Sequence, residues 1–278
     1  MTLAELRKTG TGILSRAGFD DPGRECDYLL SGALEMPLLE IRLSPQKEIT
    51  PELRRRIEEF FRRRAEHEPA QYILGTAPFR DLELEVTPAV LIPRPETEEL
   101  VTLALKHLPY GAKVLDMGTG SGAIPIALKY ERPDLQVTAS DLSLEALAVA
   151  RRNSCRWQTQ IEFIHSDLWQ NLEGRSFDLV TANLPYVSES EYACCAPEIF
   201  FEPVMALTAP ENGLELMKKT IAGLPGHLNR GGTAIFELSD HQNAVICDFG
   251  AALGFNASAM HDMEGKARFA LLQRENFG

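Results

Sequence analysis

The chain has 278 residues, 44% apolar and 24% charged, with a net charge of −12. That is room for one large domain and a smaller one. No apolar run reaches the length of a membrane span, and the acidic balance opposes stable nucleic-acid binding, which needs cations to neutralise phosphates. Met1-Thr2-Leu3-Ala4-Glu5-Leu6 alternates polar with apolar and lacks a signal-peptide core, so a cytoplasmic location without a membrane partner is expected.

Residues 1–69 read as a helical domain. Leu3, Leu6, Ile13, Leu14 and Ala17 fall near helical spacing before Gly18. Asp21-Pro22 opens a second helix that Pro37 ends; proline is tolerated in a first turn because its missing N–H has no partner there. Thr50-Pro51 opens a third, with Thr50 as N-cap and Leu53, Ile57, Phe60 and Phe61 as its buried stripe. On the same helix, Arg54-Arg55-Arg56 and Arg62-Arg63-Arg64 flank the apolar stripe. They read as a solvated face, with a partner-docking surface as the alternative.

Over residues 70–92 the period changes to that of strands. Leu82, Leu84 and Val86 alternate with Glu83 and Glu85, punctuated by Gly75, Pro78 and Pro88, which predicts a β-hairpin linker. Residues 93–278 open with a helix from about Glu96 to His107. They continue with strands at Lys113–Met117, Gln136–Asp141, Ile161–His165, Phe177–Ala182, 233–238 and 268–273. Helices are expected at 122–131, 144–153, 214–228 and 242–253. This alternation predicts an α/β fold with a mostly parallel sheet covered on both faces.

The chemistry concentrates at two corners. Gly118-Thr119-Gly120-Ser121-Gly122 turns the first of those strands into a helix. Glycines permit positive φ and close approach of backbone to a ligand, and the helix N-terminus offers free N–H groups. The loop suits a pyrophosphate or the carboxylate of S-adenosylmethionine, and Gly118, Gly120 and Ala123 also satisfy the dinucleotide pattern. Asp141, ending the next strand, is placed for ribose hydroxyls under either reading. Asp167 is placed beside an adenine.

Asn183-Leu184-Pro185-Tyr186 caps the strand Phe177–Ala182. An amide or aromatic NH2 is a weak nucleophile because its lone pair is delocalised. The Asn183 side-chain oxygen and the Leu184 carbonyl can accept its two hydrogens and aim the nitrogen. Pro185 stiffens the turn, and Tyr186 offers a face for stacking. Catalysis would rest on positioning, with no dedicated base.

Five cysteines without a C-x-x-C pair read as reduced, mostly buried thiols, and six scattered histidines give no metal site.

With these corners, the sequence resembles the N5-glutamine methyltransferases of the HemK/PrmC type, which modify class I peptide chain release factors. The resemblance extends over most of the chain. Gln71-Tyr72-Ile73-Leu74-Gly75 carries it, with Leu91-Ile92-Pro93-Arg94-Pro95-Glu96-Thr97-Glu98 and Glu202-Pro203 with Ala206-Leu207. Asn212-Gly213-Leu214, Gly231-Gly232 before Glu237, and Asp262 with Gly265 and Arg268 also carry it. It implies a substrate-docking helical domain joined by a hairpin to a Rossmann-like class I methyltransferase domain. Residues 118–122 would hold the methionine end of S-adenosylmethionine, Asp141 its ribose, and Asp167 and Leu168 its adenine. Asn183 to Tyr186 would take the glutamine of a Gly-Gly-Gln tip, with Asn183 also beside the cofactor. The implied partner is a release factor, and the protein is expected to be a monomer.

Two positions depart from the family pattern. Leu184 stands where the family has proline, implying a looser loop, and Ser239 stands where glycine is usual, implying an altered turn beside the cofactor. Asn-Leu-Pro-Tyr is also the form typical of rRNA adenine dimethyltransferases, so adenine N6 methylation of RNA or DNA is the main alternative. A nicotinamide-dependent oxidoreductase sharing only the glycine loop, and a non-enzymatic module using the Arg-rich helix, are further alternatives.

Overall fold

The computed structural model describes residues 1–275. It divides into two compact units, Met1–Thr76 with Ala196–Phe201, and Ala77–Cys195 with the chain from Glu202 onward.

The first unit is helical: α1 (Leu3–Arg16), α2 (Pro22–Leu34), α3 (Leu38–Leu43), α4 (Pro51–Ala65) and α5 (Ala70–Leu74). Thr2, Asp21 and Thr50 cap α1, α2 and α4, each accepting a backbone N–H of the first turn, which satisfies donors a helix start would otherwise leave unpaired. Leu3, Leu6, Leu14, Leu29, Leu30, Ile57 and Phe61 are fully buried in its core. Helix α1 crosses α4 so closely that a Cβ on Gly10 would meet the Phe61 ring at 2.4 Å. Helix α2 stops at Leu34, where Glu35 turns left-handed at φ 51°; Pro37 instead opens α3.

The Arg-rich face is only partly solvated. Arg54 pairs with Glu58, and Arg62 with Glu59 and Glu66, on the surface. Arg64 lies one heptad beyond Ile57, so helical spacing turns it inward. It is buried between Glu25 and Glu198 and covers the Phe19 ring.

The hairpin linker expected over 70–92 is narrower: residues 70–74 form α5, ended by Gly75 at φ 81°, and only β1 (Thr76–Phe79) and β2 (Leu82–Glu85) pair as strands. The second unit continues with α6 (Pro95–Lys106), β3 (Lys113–Met117) and α7 (Ala123–Glu131). It continues through β4 (Gln136–Asp141), α8 (Leu144–Arg156), β5 (Ile161–His165), β6 (Phe177–Ala182) and the single turn α9 (Glu189–Tyr192). The remainder is α10 (Glu215–His227), β7 (Leu228–Glu237), α11 (Asp240–Ala252), β8 (Phe255–His261) and β9 (Ala267–Arg274). The seven-stranded sheet has the order β5-β4-β3-β6-β7-β9-β8. It is parallel except for β9, which runs antiparallel to β7 and β8. The expected α/β fold with a mostly parallel sheet is what forms. Strand β8, not anticipated, is a largely exposed edge strand, so it lacks the apolar alternation that marks a half-buried one.

Two apolar layers cover the sheet. One joins α6 and α7 to the sheet through Leu100, Val101, Ile126 and Leu128. The other packs Met217, Ile221 and Leu224 of α10 and Ile246 of α11 against Leu115, Val180, Ala234 and Phe236. The cysteines depart from expectation: all are free, but only Cys26 is buried, while Cys155 and Cys194 are exposed and Cys195 and Cys247 are intermediate. Cys194 and Cys195 follow α9 in surface-running chain, where no core is available to cover them.

No helix among the described residues is long and apolar enough to cross a membrane.

Candidate active site

Strand order brings the two corners together. Chain progression runs outward from β3 to β4 and β5 on one side, and through β6 and β7 on the other. Parallel sheets of this kind bind ligands outside the C-terminal strand ends at such a reversal. Met117 registers with Ala182 on one side and with Ser140 on the other. Gly118, Asn183 and Asp141 therefore emerge from neighbouring strand ends.

They line a single cleft, whose empty space out to its open mouth is about 1050 Å³. Asp141, Leu142 and Ser143, with Ser166, Asp167 and Leu168, form one part of its wall. Gly118 to Ser121 form its floor, and Arg94, Thr97, Asn183, Leu184 and Pro185 complete it. Gly122 lies just behind, as the N-cap of α7 at φ 83°. Tyr186 follows Pro185, half-buried, and its carbonyl is held by the Gln242 Nε2 at 2.8 Å.

The glycine loop is held from both sides. The N–H groups of Gly118 and Thr119 donate to the Ser140 carbonyl at 2.8 and 3.0 Å. Gly120 donates to the Asp141 carboxylate at 2.8 Å. Asn153 of α8, fully buried, donates through Nδ2 to the carbonyls of Ser121 and Glu85 and accepts from the Glu85 N–H. One amide thus ties the loop to the hairpin strand β2.

Asp141 spends one oxygen on Gly120 and the other on the Ser143 N–H at 2.8 Å. Each oxygen keeps a lone pair for a further donor. Burial raises the Asp141 pKa, and the backbone donors of Ser143, Gly120 and Leu142 oppose that rise. Behind the loop, Asp116 is buried and accepts from the Thr181 hydroxyl at 2.8 Å. Burial pushes its carboxyl up to about 7, against the Thr181 hydrogen bond.

A nucleoside sulfonium cofactor fits this half of the cleft. Gly120 stands at φ 55° with no atom within 4 Å of the place a Cβ would occupy, so its backbone is open to a ligand. Thr119 Oγ1 is a buried polar atom without a hydrogen-bond partner. The ribose-type carboxylate of Asp141 and the apolar surfaces of Leu142 and Leu168 complete a wall suited to a nucleoside.

At the other corner, the Asn183 Nδ2 donates to Thr97 Oγ1 at 3.1 Å, and the Thr97 hydroxyl donates to Glu237 Oε2 at 2.8 Å. Thr97 sits in the first turn of α6 and Glu237 ends β7. Leu184 is 5% exposed and joins the core with Met117 and Ala182. The turn at 184 is thereby anchored by burial of an apolar side chain where a proline ring would have restricted φ. Burial keeps the Tyr186 phenol protonated, pushing it up to about 12.

Residues outside the two corners brace them, and most were not singled out by sequence reasoning. Glu202, buried, accepts from the Ile92 N–H and pairs with Arg94, so it ties 91–98 to the wall. Gln242 donates to the carbonyls of Tyr186 and Asn212, and its oxygen accepts from the Ser239 N–H. Ser239 has φ −68° and precedes α11 as its N-cap. At that φ serine carries no left-handed strain, so the turn accommodates it in place of the family's glycine. Nothing in the sequence marks Asn153, and Gln242 stands only as the glutamine that follows the family's Glu-Ile-Gly segment; the partners of both amides are mostly far off in sequence.

Two family descriptions match the chain, "PrmC N-terminal domain" over residues 5–75 and "Methyltransferase small domain" over residues 98–217. A "Release factor glutamine methyltransferase" from Geobacter sulfurreducens is 35% identical over 91% of this chain and 90% of its own length. Another so named, from Deinococcus radiodurans, is 33% identical over 99% of both. Among solved structures, a methyltransferase from Pyrococcus furiosus superposes with a TM-score of 0.55 at 21% identity, over 71% of this chain and 91% of that one, a likeness of fold. These relatives favour glutamine over adenine as the acceptor. The chain belongs to the release factor glutamine methyltransferase family.

Proposed function

We propose that this protein transfers a methyl group from S-adenosylmethionine to N5 of the glutamine in the Gly-Gly-Gln motif of class I peptide chain release factors. The observation that carries the acceptor half is the committed orientation of Asn183. Its Nδ2 is spent on Thr97, which leaves Oδ1 as the side chain's free acceptor. The Leu184 carbonyl follows it in the same turn, so two oxygens are available for the two hydrogens of a planar NH2 group.

S-adenosylmethionine, when bound, supplies an electrophilic methyl on a sulfonium. Residues Gly118 to Gly122 hold its methionine end, Asp141 its ribose, and Asp167 and Leu168 its adenine. Asn183 and Leu184 fix the acceptor amide, Pro185 holds the turn, and Tyr186 packs against the amide plane. The N–C bond forms as the methyl–sulfur bond breaks, its electron pair staying on the sulfur of the departing S-adenosylhomocysteine. The nitrogen gives up one hydrogen as a proton to water. Alignment supplies most of the rate, since well-oriented groups react with very large effective molarities.

In this reading residues 1–69 dock the protein substrate, 70–92 link, and 93–278 carry the transfer. The enzyme acts in the cytoplasm as a monomer, without a stable nucleic-acid or membrane partner. The test is transfer of label from S-adenosylmethionine with purified release factor and naked rRNA offered separately. Labelled release factor and unlabelled rRNA are expected; the reverse would place the adenine-methylation reading first.

A further inference from the structure

Asn183 is an amide that looks nearly the same from either end. Rotated by 180° about its last bond it would present Nδ2, a donor, to an acceptor nitrogen whose hydrogens also need acceptors. Two donors would then face each other, and the NH2 group would be turned away. Something must hold the amide one way round.

We propose that Thr97 and Glu237 form a positioning relay that fixes the Asn183 amide with Oδ1, not Nδ2, toward the acceptor NH2 group. The inference rests on the amide-methylation reading of the site. The relay has a direction. Glu237 is 1% exposed, and one of its carboxylate oxygens accepts the Thr97 hydroxyl hydrogen at 2.8 Å. A hydroxyl has one hydrogen, so Thr97 then offers only lone pairs toward Asn183. Asn183 must answer with Nδ2, as it does at 3.1 Å. The Asn183 amide also favours the charged form of Glu237, so both ends of the pair select the same rotation. A carboxylate three groups back thereby decides which atom faces the substrate. Neither Thr97 nor Glu237 needs to touch the acceptor.

The relay inverts if Glu237 takes up a proton, because a carboxylic acid can donate to Thr97 and free the threonine hydrogen for Asn183 Oδ1. Burial pushes Glu237 up to about 7, opposed by the Thr97 hydrogen bond, the charge of Arg268 and the Asn183 amide, and reinforced by Glu96. The groups facing it are thus Glu96 of α6, Arg268 of β9 and the Tyr186 phenol, which Glu237 in turn keeps protonated. Arg268 is itself shared with Asp262 at 3.1 Å. Among these, Glu237 is the group that burial brings to about 7.

Thr97→Val keeps shape and removes the hydroxyl; Thr97→Ser restores it; Glu237→Gln removes the titration while keeping an acceptor. Thr97→Val is expected to lower kcat by roughly tenfold to a hundredfold, the scale of a misplaced reacting group, with S-adenosylmethionine affinity by calorimetry within about twofold. Thr97→Ser should recover most of the loss. Wild-type kcat should fall on the acid side of about pH 7, and Glu237→Gln should lack that limb. A second readout needs no acceptor: the Asn183 side-chain NH2 resonances, identified by their loss in Asn183→Ala, should shift through the same pH range in wild type and stay still in Glu237→Gln. Overturning results are a Thr97→Val enzyme with wild-type kcat, a Thr97→Ser enzyme no better than Thr97→Val, or Asn183 resonances that ignore pH in wild type. If release factor takes no label from wild-type enzyme, the acceptor assignment fails, and the resonance titration still decides the relay.

Discussion

The side chain of Leu184 occupies the space above Gly118: a Cβ on residue 118 would lie 2.6 Å from Leu184 Cδ2. The first residue of the glycine loop and the second residue of the Asn-Leu-Pro-Tyr turn therefore share one volume. The residue where this chain departs from its family's usual proline is packed against the loop assigned to the cofactor, so the two corners are mechanically one piece.

Gly118→Ala should be costly for two separable reasons. Gly118 stands at φ 71°, a conformation that costs a non-glycine residue about 1–3 kcal/mol, and the new methyl must displace Leu184. Adding Leu184→Ala should remove the collision and leave the backbone cost, on top of the lost burial of Leu184, about 2–5 kcal/mol, which Leu184→Ala alone measures. Thermal unfolding and calorimetric titration with S-adenosylmethionine would read both. A Gly118→Ala cost that is the same in the wild-type and Leu184→Ala backgrounds would contradict the shared volume.

Asn183→Ala should lower kcat by roughly a hundredfold while leaving S-adenosylmethionine affinity nearly unchanged if, as proposed, the side chain's open acceptor serves the NH2 substrate. Single-turnover labelling together with calorimetry separates the two quantities. A variant that loses cofactor affinity and keeps its turnover would move Asn183 to the cofactor side alone.

Gln242→Leu should destabilise the protein by about 1–3 kcal/mol for each carbonyl it strands. The two are those of Tyr186 and Asn212. Because the Tyr186 carbonyl belongs to the acceptor turn, KM for release factor should rise as well. Denaturant unfolding and steady-state kinetics check the pair of effects.

Asp116 gives a stability prediction with a definite sign. Its carboxyl is raised from 3.8 to about 7 by burial, so the folded protein holds this proton more tightly than the unfolded chain does. The contribution is fully present below about pH 4, shrinks as pH rises, and is gone above about pH 7. The full span is worth up to about 4 kcal/mol. Asp116→Asn keeps an acceptor for Thr181 and gains a donor toward Thr119. Its stability relative to wild type should therefore rise between pH 5 and pH 8, measured as the difference in Tm at each pH.

Much of the site was legible because its signals are local. A strand followed by Gly118 to Gly122, and a strand followed by Asn183 to Tyr186, state their chemistry within a few residues of sequence. The parallel alternation then placed them side by side. The bracing was not legible. Asn153, Gln242 and Glu202 act through bonds to residues 30 to 110 positions away; Glu202 lay in a segment that carried the family resemblance, but a buried amide or acid has no local pattern that names its partner. Thr97 and Glu237 lay inside segments that carried the family resemblance, but a hydroxyl and a carboxylate 140 positions apart become a pair only once α6 meets the end of β7. Cysteine burial was misjudged for a related reason: composition says how often a residue type is buried, and only the path of the chain says where.

The most direct measurement is site-resolved mass spectrometry of a class I release factor incubated with this protein and S-adenosylmethionine. One added methyl is expected on the glutamine of the Gly-Gly-Gln tripeptide, absent when that glutamine is replaced by alanine and formed roughly a hundredfold more slowly by the Asn183→Ala protein. A methyl on any other residue, or one that persists in the alanine-substituted release factor, would contradict it.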